Sequence, residues 1–191
     1  MQVLVVGETP LSIEDVVAVA RQEKSVVLPV STEWRDLIQR GADFLDQLLQ
    51  DEGVIYGVTT GYGDSCLIDV PLHQVNELPL QLSRFHGCGL GQNLDITVAR
   101  AVVVTRLCSL ARGYSGVSHG LLERLVWMLN ANIIPVIPSE GSVGASGDLT
   151  PLSYIAGALV GERDVYDQGQ IVPVSAVYAE KGMQALVLRP K

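Results

Sequence analysis

Apolar residues recur at helical spacing over most of the chain, so the hydrophobic pattern predicts a mainly α fold. Residues 31–50 have the pattern of an amphipathic helix, and Gly53 follows as a stop signal. Residues 95–112 are apolar on most faces, which is typical of a helix buried in a bundle or in an interface between subunits. Further helices are predicted at 12–22 with Ser12 as the N-cap, at 71–86 with an interruption at Pro79, at 118–130 with Ser118 as the N-cap, at 150–161 with Thr150 as the N-cap, and at 175–181.

Little β-structure is predicted. The apolar run at residues 1–7 is a candidate strand, and the segment around Gln168 and Gly169 has the pattern of a small hairpin. Two other segments are too rich in glycine for a helix interior. Residues 56–65 contain three glycines, and residues 133–150 contain three glycines and two prolines. We therefore predict a long loop at each of these two places.

Composition and charge exclude several classes of function. Hydrophobic residues make up 48% of the 191 residues and charged residues 18%, which excludes a disordered tail. The net charge is −8 and no basic cluster occurs, so we expect neither a nucleic-acid partner nor attachment to an anionic membrane. No apolar run reaches the ~18 residues of a membrane span, and the first residues lack the basic start of a signal peptide. A cytoplasmic location is therefore expected.

The cysteines and histidines do not form a metal-binding pattern. They are widely spaced and include no C-x-x-C pair, so we expect no metal and three reduced, mostly buried thiols. The residues concerned are Cys66, Cys88, Cys108, His73, His86 and His119.

The loop at 139–151, SEGSVGASGDLTP, allows an unusual chemistry, although its composition alone also suits a tight turn between two helices. The apolar residues around it predict that it is buried. Since Gly147 has no side chain, its nitrogen can approach the carbonyl carbon of Ala145 and close a five-membered ring. Loss of water from Ser146 would then leave an exocyclic methylene, which is an electrophile that no ordinary side chain provides.

Four segments, in the same order along the chain, resemble the aromatic amino acid ammonia-lyases and the related aminomutases. The segments are YGVTTGYG at 56–63, HGCGLG at 86–91, SLARGYSGVS at 109–118 and GSVGASGDLTPLS at 141–153. The resemblance covers the whole chain but only the N-terminal third or so of a typical member. It implies the fumarase/aspartase-like superfamily fold, with residues 1–191 as its N-terminal domain and the C-terminal helical part absent. The chain stops at LVLRPK without a helix stop, which we interpret as an interruption.

The resemblance also implies a cofactor and roles for named residues. The prosthetic group of the family is 4-methylidene-imidazole-5-one (MIO), formed autocatalytically, and no metal or dissociable cofactor is expected. Tyr56 would be the base that removes the β-proton of the substrate. The group would form from Ala145, Ser146 and Gly147, Asp148 would help to hold the loop, and Gly57, Thr60 and Gly61 would shape the loop around Tyr56.

Phe85 and His86 fall where the family sets its selectivity for the substrate side chain. Phenylalanine enzymes carry Phe-Leu at this pair and histidine enzymes typically carry Ser-His, whereas this chain has Phe-His. A phenyl ring would leave the imidazole of His86 unpaired in a buried pocket, at a cost of ~1–3 kcal/mol. We therefore expect a substrate with a polar tip, histidine or tyrosine, which gives urocanate or coumarate.

Two alternatives stay open within the resemblance. The chain resembles an aminomutase as much as a lyase, and it could also be a truncated, non-catalytic fragment. In the family an Asn, a second Tyr, the Arg that binds the substrate carboxylate and a late Glu lie beyond the segment that this chain covers. A homotetramer is expected, with the site completed by the missing C-terminal part and by other subunits.

Overall fold

The computed structural model describes residues 2–51, 53–144 and 147–190, and most of its regular structure is helical. The elements in chain order are β1 (Gln2–Val5), α1 (Ile13–Ala20), β2 (Lys24–Val27), α2 (Thr32–Gln50), a 3₁₀ turn (Gly63–Ser65), α3 (Leu72–Val75), α4 (Leu78–His86), β3 (Leu90–Asn93), α5 (Ile96–Leu110), α6 (His119–Asn130), β4 (Ile134–Pro135), β5 (Pro138–Glu140), α7 (Leu149–Leu159), β6 (Asp164–Asp167), β7 (Gln170–Pro173) and α8 (Val174–Glu180).

Side-chain caps fix the starts of three helices where the sequence predicts them. Ser12 and Asp15 form a reciprocal capping box at α1. The Ser31 hydroxyl accepts a hydrogen bond from the Trp34 amide at α2, and the Asp95 carboxylate caps α5. These predicted helix starts are confirmed.

Helix α5 lies at the centre of the core, as its apolar surface predicts. Val103, Val104 and Leu107 on this helix are 0% exposed. It packs against α1, α6 and β4, and the core continues through α7 and α8. Trp34 of α2 joins this core and donates its indole N–H to the Ala111 carbonyl at 2.9 Å. The helices therefore form one packed body that supports the loops.

Three small sheets lie around the helices. Strands β1 and β2 are parallel, β3 pairs antiparallel with β5, and β4, β6 and β7 form an antiparallel sheet. The predicted strand at the N-terminus and the hairpin at Gln168 and Gly169 are confirmed. The segment 133–150, predicted as a loop throughout, instead contains β4 and β5. Residues 133–135 are buried and apolar, but β4 and β5 are too short to show the alternating pattern of a strand. Pro135 and Pro138 also argue against a strand in the sequence, because proline cannot donate a backbone hydrogen bond.

Several local expectations are corrected. The break in the predicted helix 71–86 falls at Asn76 and Glu77, whereas Pro79 lies in the first turn of α4, where its missing N–H costs nothing. Ser118 precedes α6 but makes no side-chain cap hydrogen bond. Helix α7 begins at Leu149 rather than after Thr150.

The cysteines are free thiols, but the expectation that most are buried is wrong. Cys66 and Cys88 are exposed because each lies in a surface turn, and Cys108 of α5 is half-buried. Burial, and to a smaller extent the negative charge of Asp15, raises the pKa of Cys108 to about 11. Among the described residues, no helix is long and apolar enough to cross a membrane, and no group of three or more His, Cys, Asp or Glu side chains could hold a metal ion.

Candidate active site

The glycine-rich loop between α2 and α3 is held by Thr60. The side chain of Thr60 is buried, accepts a hydrogen bond from the Gly57 amide at 3.1 Å and donates one to the Gly61 carbonyl at 3.0 Å. Gly57 has a φ of +72°, and a Cβ there would lie 2.5 Å from the Tyr62 ring. The side chain of Thr60 therefore links the backbone of Gly57 to that of Gly61, and the predicted role of the three residues around Tyr56 stays a prediction.

Tyr56 is presented at the surface of this loop. Its side chain is 63% exposed, and its hydroxyl oxygen accepts a hydrogen bond from the Gly63 amide at 2.8 Å. The Tyr62 ring packs edge-on against it, with 6.1 Å between the ring centroids. Burial, and secondarily the neighbouring Tyr56, raises the pKa of Tyr62. Within the described residues, the hydrogen bonds and ring contacts of Tyr56 all lie in its own loop.

Helix α4 ends at His86, which faces a cavity of about 250 Å³ between α4, α5, α6 and α7. Most of the lining is apolar, and Leu149 and Leu152 of α7 line the same cavity. Phe85 stacks edge-on with His86 but is 78% exposed and lies outside the lining. His86, and not Phe85, therefore lines the same cavity as the first turn of α7.

The loop that carries the Ala-Ser-Gly triplet joins β5 to α7. Gly147 has a φ of +76° with no heavy atom within 4 Å of the position of a Cβ. The Ser142 hydroxyl donates a hydrogen bond to the Asp148 carboxylate and so closes the base of the loop. Gly147 and Asp148 are exposed, which corrects the expectation of a buried loop. Ala145 and Ser146 lie outside the described residues.

Strand pairing brings the turn after His86 to the base of the triplet loop. Leu90 of β3 pairs with Glu140 of β5. The packing is tight, because a Cβ on Gly141 would lie 2.5 Å from Thr150 and 3.3 Å from the Cα of Gly89. Two of the four predicted segments, 86–91 and 141–153, are therefore adjacent, and the described contacts do not join the Tyr56 loop to them.

Two side chains that the sequence analysis missed hold this junction together. Tyr154 accepts a hydrogen bond from the Gly89 amide at 3.1 Å, and Arg163 donates one to the Gly87 carbonyl at 3.2 Å. The partners are 65 and 76 residues apart in the chain. No local pattern marks such pairs, so periodicity and motif spacing carry no signal for them.

Known proteins resemble this chain in sequence and in structure. A family model described as aromatic amino acid lyase matches residues 11–191. A histidine ammonia-lyase from Geobacillus sp. (strain WCH70) is 36% identical over 189 residues, which are 99% of this chain and 37% of that protein. An MIO-dependent tyrosine 2,3-aminomutase from Streptomyces globisporus is 41% identical over 185 residues, 97% of this chain and 34% of that protein.

Solved structures confirm the predicted fold class. The crystal structure of tyrosine aminomutase from Streptomyces globisporus superposes with a TM-score of 0.91 at 38% identity and covers 98% of this chain and 35% of that chain. Histidine ammonia-lyase from Trypanosoma cruzi gives a TM-score of 0.85 at 26% identity, over 99% of this chain and 36% of that one. The chain spans about one third of the length of the relatives it matches.

Proposed function

Because the chain belongs to the aromatic amino acid lyase family, we propose that it is the N-terminal domain of an enzyme that eliminates ammonia from an aromatic L-amino acid without oxidation. The pairing of β3 with β5 supports this function most directly, since it sets the turn after His86 against the loop that carries Ala145, Ser146 and Gly147. The residue that selects the substrate side chain has to lie near the electrophile that the substrate amine attacks, because both contact the same small molecule.

The described residues around the triplet fit an MIO group formed from Ala145, Ser146 and Gly147. No heavy atom lies within 4 Å of the position of a Cβ on Gly147, so the space beside its α-carbon is open, and a glycine has no side chain to block ring closure. The hydrogen bond from Ser142 to Asp148 narrows the base of the loop and favours the bent backbone that cyclisation needs. When formed, the group supplies an electrophilic methylene that binds the substrate amine and turns it into a good leaving group.

Tyr56 is the proposed base for the β-proton of the substrate. The Gly63 amide points at its hydroxyl oxygen, and such a donor stabilises negative charge on an oxygen atom. Tyr62 is less suited to this role, because burial raises its pKa and so disfavours ionisation of its phenol. Since the contacts of Tyr56 stay within its loop, either a movement of this loop or the packing of another subunit of the proposed homotetramer has to bring Tyr56 to the triplet.

The substrate has a polar tip in this proposal. The His86 imidazole in an otherwise mostly apolar cavity gains a partner from the imidazole of histidine or the phenol of tyrosine. Loss of ammonia then gives urocanate or coumarate. The remaining contacts, including the carboxylate-binding arginine, come from the C-terminal part and the other subunits of a homotetramer.

An aminomutase is the second candidate, and the 41% identity to the Streptomyces globisporus tyrosine 2,3-aminomutase favours it. Such an enzyme returns the ammonia to the β-carbon of the same substrate. The products separate the two functions, because a lyase releases free ammonia and an unsaturated acid, whereas an aminomutase releases a β-amino acid. A third possibility is that the chain is a truncated fragment that does not turn over any substrate.

A chimaera tests the proposal. Residues 1–191 replace the matching segment of the Streptomyces globisporus aminomutase, which supplies the missing part of the fold. Ring formation removes two waters, ~36 Da, from the intact mass. Ser146→Ala should abolish this loss and lower activity by several orders of magnitude, while Tyr56→Phe should keep the mass loss and lower kcat by ~10²–10⁴-fold. An active chimaera with an unmodified mass would contradict the assignment of the electrophile.

A further inference from the structure

The turn after α4 has little structure of its own. Gly87 and Gly89 flank the exposed Cys88, and no side chain of this turn is buried. The backbone groups that face inward are instead bound from outside, by the hydroxyl of Tyr154 at the Gly89 amide and by the guanidinium of Arg163 at the Gly87 carbonyl. Two side chains from another part of the chain therefore bind the backbone of the turn, in addition to the pairing of β3 with β5 that follows it.

These two side chains also hold each other. The guanidinium of Arg163 lies over the ring of Tyr154, with 4.7 Å from its Cζ to the ring centroid. Tyr154 is 8% exposed, so its ring has little freedom to move. Together with the turn they form a closed triangle of contacts, in which each member binds the other two.

Two glycines, Gly87 and Gly157, leave room for the side chain of Arg163. A Cβ on Gly87 would overlap its guanidinium, and a Cβ on Gly157 of α7 would overlap its Cγ. The arginine therefore runs in a slot between the end of α4 and α7, and a larger residue at either glycine would displace it. A second link, the ion pair of Arg84 with Glu162, lies beside this slot at the surface.

The slot connects two parts of the proposed site. His86 immediately precedes the turn, and α7, which carries Tyr154, begins two residues after Gly147. Movement of the turn relative to α7 would therefore change the distance between His86 and the reactive triplet. It would not alter the triplet itself.

We propose that Tyr154 and Arg163 are positioning residues that lock the turn after His86 onto α7 and thereby set substrate selectivity. This inference rests on the proposed function. Both residues act through His86 and need not touch the substrate. Their loss should relax the discrimination between substrates and leave ring formation intact.

The test compares Tyr154→Phe with Tyr166→Phe in the chimaera. Both variants lose one hydroxyl that binds a backbone group, because Tyr166 donates to the carbonyl of Leu94 at 3.0 Å, directly after β3 and at the opposite end of that strand from the turn. We expect Tyr154→Phe to change the ratio of kcat/KM for tyrosine over phenylalanine by about 10-fold and to keep the mass loss of the ring. Arg163→Lys should change the ratio in the same direction, while Tyr166→Phe should leave it unchanged.

Hydrogen exchange measured by mass spectrometry gives a second readout, at the peptide that contains Gly89. Tyr154→Phe should increase exchange there, because the amide loses its acceptor, and Tyr166→Phe should not. If Tyr154→Phe lowers the stability of the protein but leaves the ratio of kcat/KM for tyrosine over phenylalanine unchanged, the inference is wrong. If the parent chimaera shows neither the mass loss nor turnover, the proposed function is wrong. If the Gly89 peptide of Tyr154→Phe exchanges as slowly as that of the parent, Tyr154 does not hold the turn, and this inference is wrong independently of the proposed function.

Discussion

Two glycines in the Tyr56 loop provide a matched pair of substitutions. Gly57 and Gly63 both have positive φ values, +72° and +54°. A Cβ on Gly57 would lie 2.5 Å from Cε1 of the Tyr62 ring, whereas no heavy atom lies within 4 Å of a Cβ on Gly63. Alanine at either position keeps the backbone amide and its hydrogen bond, so the two variants differ mainly in the contact with Tyr62.

The expected costs follow from these two environments. Gly63→Ala costs only the strain of the left-handed backbone, ~1–2 kcal/mol. Gly57→Ala has the same strain and must also displace a ring that packs against Tyr56, which adds ~1–3 kcal/mol for overpacking. The Tyr56 loop should therefore open on the order of 5–150-fold more often in Gly57→Ala than in Gly63→Ala. Because the loop can open locally, the free energy of global unfolding should change less than these sums.

Hydrogen exchange of the loop and a urea titration check this prediction. The peptide containing the Gly63 amide, which donates to Tyr56, reports the local opening, and the titration reports global stability. In an active chimaera, Gly57→Ala should also lower kcat more than Gly63→Ala does, since it moves Tyr56. Equal exchange rates in the two variants would refute the reasoning, because they would mean that the Tyr62 ring yields without cost.

Two further predictions concern groups with shifted pKa values. The exposed thiols of Cys66 and Cys88 should react with iodoacetamide at pH 8. Cys108 should react only after denaturant is added, because burial raises its pKa to about 11. Equal reaction rates for all three thiols would contradict the burial of Cys108. The hydrogen bonds and charge of Arg84 lower the pKa of Glu162. The stability lost in Glu162→Gln should therefore be full at pH 7, decline as the pH falls below the ordinary glutamate value of about 4.3, and vanish only below the lowered pKa of Glu162. Urea midpoints at several pH values measure this change, and a loss that persists in strong acid would show that the charge of Glu162 is not involved.

Local signals explain what the sequence predicts well. Helix starts at Ser12, Ser31 and Asp95 depend on side chains two or three residues away from the amides they bind, so the pattern contains the whole interaction. The hairpin at Gln168 and Gly169 is confirmed for the same reason, since both turn residues adopt positive φ values.

Distant partners explain what the sequence does not predict. Strands β2 to β5 have two to four residues each and exist because of their pairing, so they carry no readable period. The contact between Tyr154 and Gly89 spans 65 residues and has no motif. The sequence therefore predicts the candidate site as a set of motifs, and the roles of the residues in them stay predictions. The contacts that bring two of these motifs together are visible only in the structure.

The pairing of β3 with β5 has a consequence for the order of folding. The segment between these strands contains α5 and α6, which form the centre of the core. Closing so long a segment costs chain entropy that only the packing of those helices repays. We therefore expect the turn after His86 and the triplet loop to meet late, after the core has formed. On the proposed function, the reactive group would be held beside His86 only in a chain that has already folded, and an unfolded chain would carry Ala145, Ser146 and Gly147 without the fixed loop base that favours cyclisation.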